Sequence, residues 1–600
     1  MRLRDTTIWC VCIILAVALL IVAGMHVDNI NSQRQQMKLI SNEPLENAPP
    51  SLAFATIAMG AFRGLVVDVL WIRADKLKDQ GQFFDARQLA EWITTLQPRF
   101  PSVWEFHAWN MAYNISVAIP ANQPDQRWRW VKNGYELLRD KGIPLNPKAI
   151  QLYRELARIF QHKIGSVSDD AHKYYKIQLA SAMEPLLRSD DNRLDSQDNR
   201  YFEALANEAH TKWGQIVKDA NVAELITALK AADSVFADDG KFVDNYLSLR
   251  QNAGRFKPAA AEVVDDFRGT KQLKKFDIFA KAYHLRNTWK LDPVLMHELN
   301  NIYGPTDVSD PNKHFPLDWR HPDSHAIYWA VKGLREVSKE QDREIDITET
   351  NTDRLVGHGL QSLFRNGKIF IYDAVVETPE ASSSQIVART VKEIFLRPDL
   401  RMFKPYHQAM LAVLAKYKQL DSGGSYTSLQ DGHRNMLKNA TFLFYQAGHK
   451  PQAREIYNQL RKLYPIDDFK VSLDQFATNR FREELESIGI FDAKEQIVAL
   501  LREAYFRYAL RDDNEAFGRE KLAEQVYDYY QKKYDPENRI RLPKFSQLRY
   551  AGLFDFINDP WYPLSLRHNL LNRIQIERPE LYEELQLEEQ KAKQAMQESG

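Results

Sequence analysis

From Thr7 to Met25 the chain runs TIWCVCIILAVALLIVAGM without a charge, and about 20 apolar residues suffice for a helix to cross the hydrocarbon core of a bilayer. The run predicts one membrane-spanning helix, preceded by a six-residue amino terminus. A cleaved signal peptide is the rival reading, since Val22, Ala23 and Gly24 are small enough for a cleavage site. The apolar run is longer than the roughly 7–15 residues typical of such peptides, which favours a retained anchor. Residues 26–50 lack periodicity and read as a tether. Ser51 to Ile72 is apolar again, but Arg63 and Asp68 interrupt it. Each would cost about 2.5–3.5 kcal/mol near a bilayer centre, so a tightly packed soluble helix is expected there. Its small residues Ala53, Ala58, Gly60, Ala61 and Gly64 would allow close helix approach in either environment.

Beyond Ile72 apolar and aromatic residues recur at steps of three and four, as in VWEFHAWNMAYNI, WRWVKNGYELLRD and AIQLYRELARIFQHK. That period marks helices with one buried stripe each. Arg188 to Arg200, RSDDNRLDSQDNR, is a polar break without the glycine and glutamate placement of a calcium loop. Gly304 to Ser324 carries four prolines in 21 residues and predicts a long ordered loop or lid. REIDITET and GKIFIYDAVVETP are the only β-type runs, so a small hairpin-like element is expected within Arg343–Pro379. Helices are expected to resume from Ser382 to Asp535, and the polar carboxyl end reads as a helix that frays at Gly600. The expected division is 1–6 before the span, 7–25 span, 26–50 linker, 51–185 first helical repeats, 186–400 middle region, 401–536 second repeats and 537–600 helical tail.

Composition agrees with a mainly helical globular chain: 44% of 600 residues are apolar, with only 24 glycines and 26 prolines. Eighty basic residues balance eighty acidic ones, so no global charge invites nucleic acid. Arg2 and Arg4 precede the apolar run, whereas the first basic residues after it are Arg34 and Lys38. This bias places the amino terminus in the cytoplasm and the bulk of the chain outside it, in a periplasm or equivalent space. The only cysteines, Cys10 and Cys12, lie within the run, leaving nothing in the remainder to misoxidise or to cross-link.

Two stretches far apart share a pattern: GQFFDARQLAEWITTLQP (Gly81–Pro98) and GHKPQAREIYNQLRKLYP (Gly448–Pro465). Gly81 and Gly448, Ala86 and Ala453, Ile93 and Leu460, and Pro98 and Pro465 occupy equal offsets, with Tyr457 at an aromatic position of the later copy. An αα-hairpin needs a permissive turn residue, a small residue where its helices touch and a proline to stop it. The pattern resembles the tetratricopeptide repeat, a unit of about 34 residues. Tyr505 to Pro536 is a looser third copy, and residues 186–400 show none. The plan as a whole is similar to membrane-anchored repeat proteins of bacteria. The resemblance implies a mainly α fold, an α-solenoid of repeat hairpins carrying one amino-terminal transmembrane helix and a small β element. It also implies that the first helix of each hairpin lines a groove, here Asp68, Trp71, Asp75, Lys78 and Asp79, followed by Ser102, Glu105, Trp109, Ala112 and Tyr113. The set lacks the Lys and Asn residues with which some such domains clamp a carboxyl terminus.

The densest group of potential ligands is HFPLDWRHPDSH, with His314, Asp318, His321, Asp323 and His325. It has no spacing of a known metal site, and Asp323 or Ser324 at a helix start explains it as structure, with Ile327, Tyr328 and Ala330 or Val331 facing inward. HELNN at His297 lacks the second histidine of a zinc-protease helix, and neither a phosphate loop nor a serine elbow occurs. The expected protein is a non-catalytic scaffold, with no cofactor and no metal, that binds a basic or aromatic-containing protein segment and touches the membrane through one helix. The alternatives are an enzyme or metal-binding protein using the 304–325 loop, and a structural envelope assembly protein.

Overall fold

A computed structural model describes residues 63–188, 199–307, 313–338, 347–379, 386–420, 425–447, 449–486, 493–534, 542–559 and 562–598, with Leu15 and Ala18. The expected span apart from Leu15 and Ala18, the tether, residues 51–62, most of the polar break, Gly448 and Pro536 lie outside the described residues. Among the described residues no helix is long and apolar enough to cross a membrane. The protein is mainly helical, as its periodicity predicts, and divides into two compact units.

The first unit comprises residues 1–159 and 332–344. Helix α1 (Arg63–Asp79) turns at Gly81, whose φ of +75° suits glycine, into α2 (Phe83–Leu96). Ala86, Leu89, Ala90, Ile93 and Leu96 form the buried stripe of α2. Pro98 ends this pair, and its carbonyl accepts hydrogen bonds from Trp104 Nε1 (2.8 Å) and Asn146 Nδ2 (2.9 Å). Helix α3 (Pro101–Trp109) continues through wider π turns over Asn110–Ile115. It packs against α4 (Pro124–Leu137), where a Cβ on Gly134 would sit 2.9 Å from the Ala108 carbonyl oxygen. Helix α5 (Ile150–Arg158) buries Leu152, Tyr153, Leu156 and Ala157 and also packs on α3.

The second unit comprises residues 160–331 and 345–600. Its chain order is α6 (His172–Leu187), α7 (Asn199–Glu208), α8 (Ala223–Ala232), α9 (Phe242–Gln251), α10 (Pro258–Asp266), α11 (Lys271–Asn287) and α12 (Pro293–Tyr303). Then come α13 (Pro322–Val337, which belongs here through Val331), α14 (Ile347–Asn366), β1 (Lys368–Pro379) and β2 (Ile386–Arg397). Helices α15 (Phe403–Leu420), α16 (Ser425–Gln446), α17 (Lys450–Leu463), α18 (Leu473–Glu486), α19 (Ala493–Ala509) and α20 (Asp513–Tyr534) follow. The chain closes with α21 (Phe545–Asn558), α22 (Leu564–Glu577) and α23 (Pro579–Glu598). Pairs α16–α17 and α19–α20 pack across short turns. Ala453 is fully buried, and Tyr457 donates its hydroxyl to the carbonyls of Phe469 (3.2 Å) and Val471 (3.0 Å); Pro465 follows the end of α17, exposed. A separate core gathers Ile497, Leu501, Val526, Leu548, Phe556 and Leu570 from α19–α22.

The β element differs from the expected one. ITET opens α14 rather than a strand, because Thr352, Val356, Gly359, Leu360 and Leu363 continue it with a helical buried stripe. The partner of β1 is instead β2, in the part of the chain expected to be helical. The two run antiparallel, Lys368 opposite Arg397 and Pro379 opposite Ile386. IVARTVKEIFLR is rich in β-branched residues, and Ile394 with half-buried Leu396 joins Ile369 and Ile177 of α6 in one apolar cluster.

Candidate ligand pocket

Three helices of the first unit, α1, α3 and α5, bring Trp71, Ser102, Glu105, Phe106, Trp109, Glu155 and Arg158 around a recess of about 300 Å³.

 The apolar stripes of α1 and α3 turn Trp71 and Phe106 toward each other, with ring centroids 5.2 Å apart. Trp109 stacks on Tyr113 at 6.2 Å. Glu155 is the deepest lining residue at 1% exposure, whereas Arg158 stands exposed at the rim. Arg158 Nη1 donates to Oε2 of Glu155 at 3.2 Å, and Oε1 has no hydrogen-bond partner. Burial pushes the Glu155 carboxyl up to about 7, with Glu105 adding to the rise and Arg158 and Arg154 opposing it.

Of the predicted groove residues, the structure brings Trp71, Ser102, Glu105 and Trp109 together in this recess. Glu105 is tied to Arg154 of α5 at 2.8 Å. Tyr113 stands beside the recess, its hydroxyl donating to the Arg158 carbonyl at 3.4 Å, and burial raises its pKa. Ala112 is fully buried and is not part of the recess lining. Asp68 is exposed and outside the lining. Asp75 and Asp79 are exposed too, but Lys78 lies 2.5 Å from one and 3.6 Å from the other, so their charge is partly neutralised. Sequence reasoning missed Phe106, Glu155 and Arg158. The signal for Glu155 was present: a carboxylate between Leu152 and Ile159, on the buried stripe of its helix.

The His/Asp-rich loop of the second unit is mostly core. His321 is fully buried, and burial pulls it down to about 4, so it is neutral: its Nε2 donates to the Asn366 carbonyl (3.1 Å) while Nδ1 accepts from the Asp323 amide (3.1 Å). His325 Nε2 donates to the Trp319 carbonyl (2.9 Å), and burial pushes the Asp323 carboxyl up to about 7. Exposed His314 pairs by a backbone bridge with Thr306. Asp318 grips Arg320 through two hydrogen bonds of 2.9 and 2.8 Å. Ile327, Tyr328, Ala330 and Val331 are all buried, as the inward-facing reading of α13 requires. Among the described residues no group of three or more His, Cys, Asp and Glu is placed to hold a metal. Phe315 to Arg320 nonetheless line a cavity of ≈ 450 Å³, with Glu184, Arg188, Lys368, Asp399 and Arg401 on its other walls. No protein-family model matches the chain, and no curated protein is detectably similar to it.

Proposed function

We propose that the chain is a non-catalytic, membrane-anchored scaffold of tetratricopeptide-like hairpins, which captures an extended segment of a partner protein in the recess between α1, α3 and α5. The observation that carries this reading is where the walls come from. They are α1, α3 and α5, and they present two tryptophans and a phenylalanine around one depression. Half-buried aromatics of this kind supply most of the binding energy where a peptide side chain enters a pocket. The uncharged run Thr7–Met25 and the basic Arg2 and Arg4 support an anchor with the folded part outside the cytoplasm.

The test is selection of peptides from a random display library on the full-length chain, followed by Trp71→Ala and Trp109→Ala. Selected peptides should bind each variant at least about tenfold more weakly, the effect of losing one aromatic anchor. Peptides that bind both variants as they bind the parent would remove the recess as the capture site. A second reading, an enzyme or small-molecule binder, draws on the ≈ 450 Å³ cavity that Phe315–Arg320 line in the second unit. Its guanidinium groups of Arg320 and Arg401 are already held by Asp318 and Asp399, which leaves that reading second.

A further inference from the structure

The recess has an internal chemical asymmetry. Its walls are aromatic faces, its rim carries a guanidinium, and its deepest residue is a carboxylate with one oxygen unbonded. Buried polar atoms nearly always have partners, so the Oε1 atom of Glu155 points to a group that the chain itself does not supply. A carboxylate or other fully ionised anion has no hydrogen to give Oε1, and it meets the carboxyls of Glu105 and Glu155, whose charge Arg154 and Arg158 already offset. A neutral apolar group would leave Oε1 unsatisfied. A cation meets both needs, because the faces of Trp71, Phe106 and Trp109 attract positive charge and the carboxylate completes its hydrogen bonding. The rim already shows a cation in this role: Arg158 donates to the other oxygen of Glu155 while its guanidinium lies 5.2 Å from the Tyr113 ring centre.

We propose that the recess is a receptor for one cationic side chain, an alkylammonium or guanidinium group that pairs with Oε1 of Glu155 between Trp71, Phe106 and Trp109. The inference rests on the peptide-capture reading for its biological ligand, and it names the class of residue that the captured segment must carry. Arg154 and Arg158 of α5 and Glu105 and Tyr113 from α3 and its π turns are the ionisable groups that act on Glu155, while α1 contributes the uncharged Trp71 to the lining and Lys78, paired with Asp75, 6.0 Å from the Phe106 ring centre. A carboxyl that holds its proton up to about pH 7 must release it to pair with the cation, so binding strengthens as pH rises through that value.

Calorimetric titration of the full-length chain with Nα-acetyl-lysine methylamide, Nα-acetyl-arginine methylamide and the neutral Nα,Nε-diacetyl-lysine methylamide tests the proposal. At pH 8 at least one cationic probe should bind about tenfold or more tighter than the neutral one, and the advantage should shrink at pH 6. The relative affinities of the two cationic probes distinguish ammonium from guanidinium. Glu155→Gln, checked for an intact melting transition, should abolish the advantage, and Glu155→Asp should restore part of it. Equal binding of charged and neutral probes at pH 8, or an advantage that survives Glu155→Gln, overturns the proposal. So does binding seen only in Arg158→Ala, which would make Arg158 the resident cation. Library peptides that depend on Trp71 and Trp109 but not on a basic residue would leave peptide capture standing and sink the cation receptor. Cation-selective probe binding without any such peptides would do the reverse.

Discussion

Glu155 couples stability to pH in a direction fixed by its burial. Its carboxyl is raised from an ordinary value of 4.5 to about 7. Below the lower value folded and unfolded chains are both protonated, and burial of this group carries no ionic penalty. Between the two values the unfolded chain ionises while the folded one keeps its proton, so stability falls as pH rises, and above about 7 the loss is complete. Glu155→Gln removes the ionisable group. The variant should therefore be more stable than the parent at pH 8, by about 3 kcal/mol for a shift from 4.5 to about 7 at about 1.4 kcal/mol per pKa unit, and close to it near pH 4. Urea titrations of both proteins at the two pH values check this; equal midpoints at pH 8 would show that Arg158 already compensates the buried charge. Stabilisation together with lost cation binding is the signature of a residue kept for a ligand rather than for the fold. The aromatic half of the recess was legible in the chain because Trp71 and Trp109 fall at groove positions of a repeat pattern. The polar half was not, because a lone glutamate among leucines looks like any interruption of a stripe until the neighbouring helix covers it.

At the scale of elements, small residues set how closely helices approach. Ala86 and Ala453 are fully buried at equivalent offsets of α2 and α17. Replacing either with leucine should overpack a helix contact and lower stability by about 1–3 kcal/mol. Gly134→Ala should do the same on α4, since its new Cβ would press on the Ala108 carbonyl of α3 at 2.9 Å. Melting curves of the three variants decide the matter, and parental curves for Ala86→Leu and Ala453→Leu would dissolve the equivalence of the two stretches. Tyr457→Phe loses hydrogen bonds to two carbonyls at the end of the same repeat and should cost about 1 kcal/mol. Helical periodicity was legible wherever one stripe is buried. It failed at α14 and β2, where threonine- and valine-rich sequence suits either state. Only packing distinguishes them: the buried stripe of Thr352, Val356, Leu360 and Leu363 for α14, and the apolar cluster of Ile177, Ile369 and Ile394 for β2.

At the scale of the whole molecule, the amino-terminal sequence predicts a topology. Thr7–Met25 is uncharged, Arg2 and Arg4 precede it, and the next basic residue is Arg34. A positive charge is retained on the cytoplasmic side of a first span, so everything beyond the span is expected on the opposite side. Cysteine usage agrees: Cys10 and Cys12 are the only two, so residues 13–600 have no thiol for an oxidising space to attack. Protease added to spheroplasts of cells expressing the chain should therefore digest residues beyond the span while leaving a cytoplasmic marker intact. Carbonate washing should leave the undigested chain in the membrane pellet, as expected for a retained span rather than a cleaved leader. If the chain survives in spheroplasts and is cut only after lysis, the orientation is the reverse. A recess that takes basic segments would then be facing cytoplasmic partners.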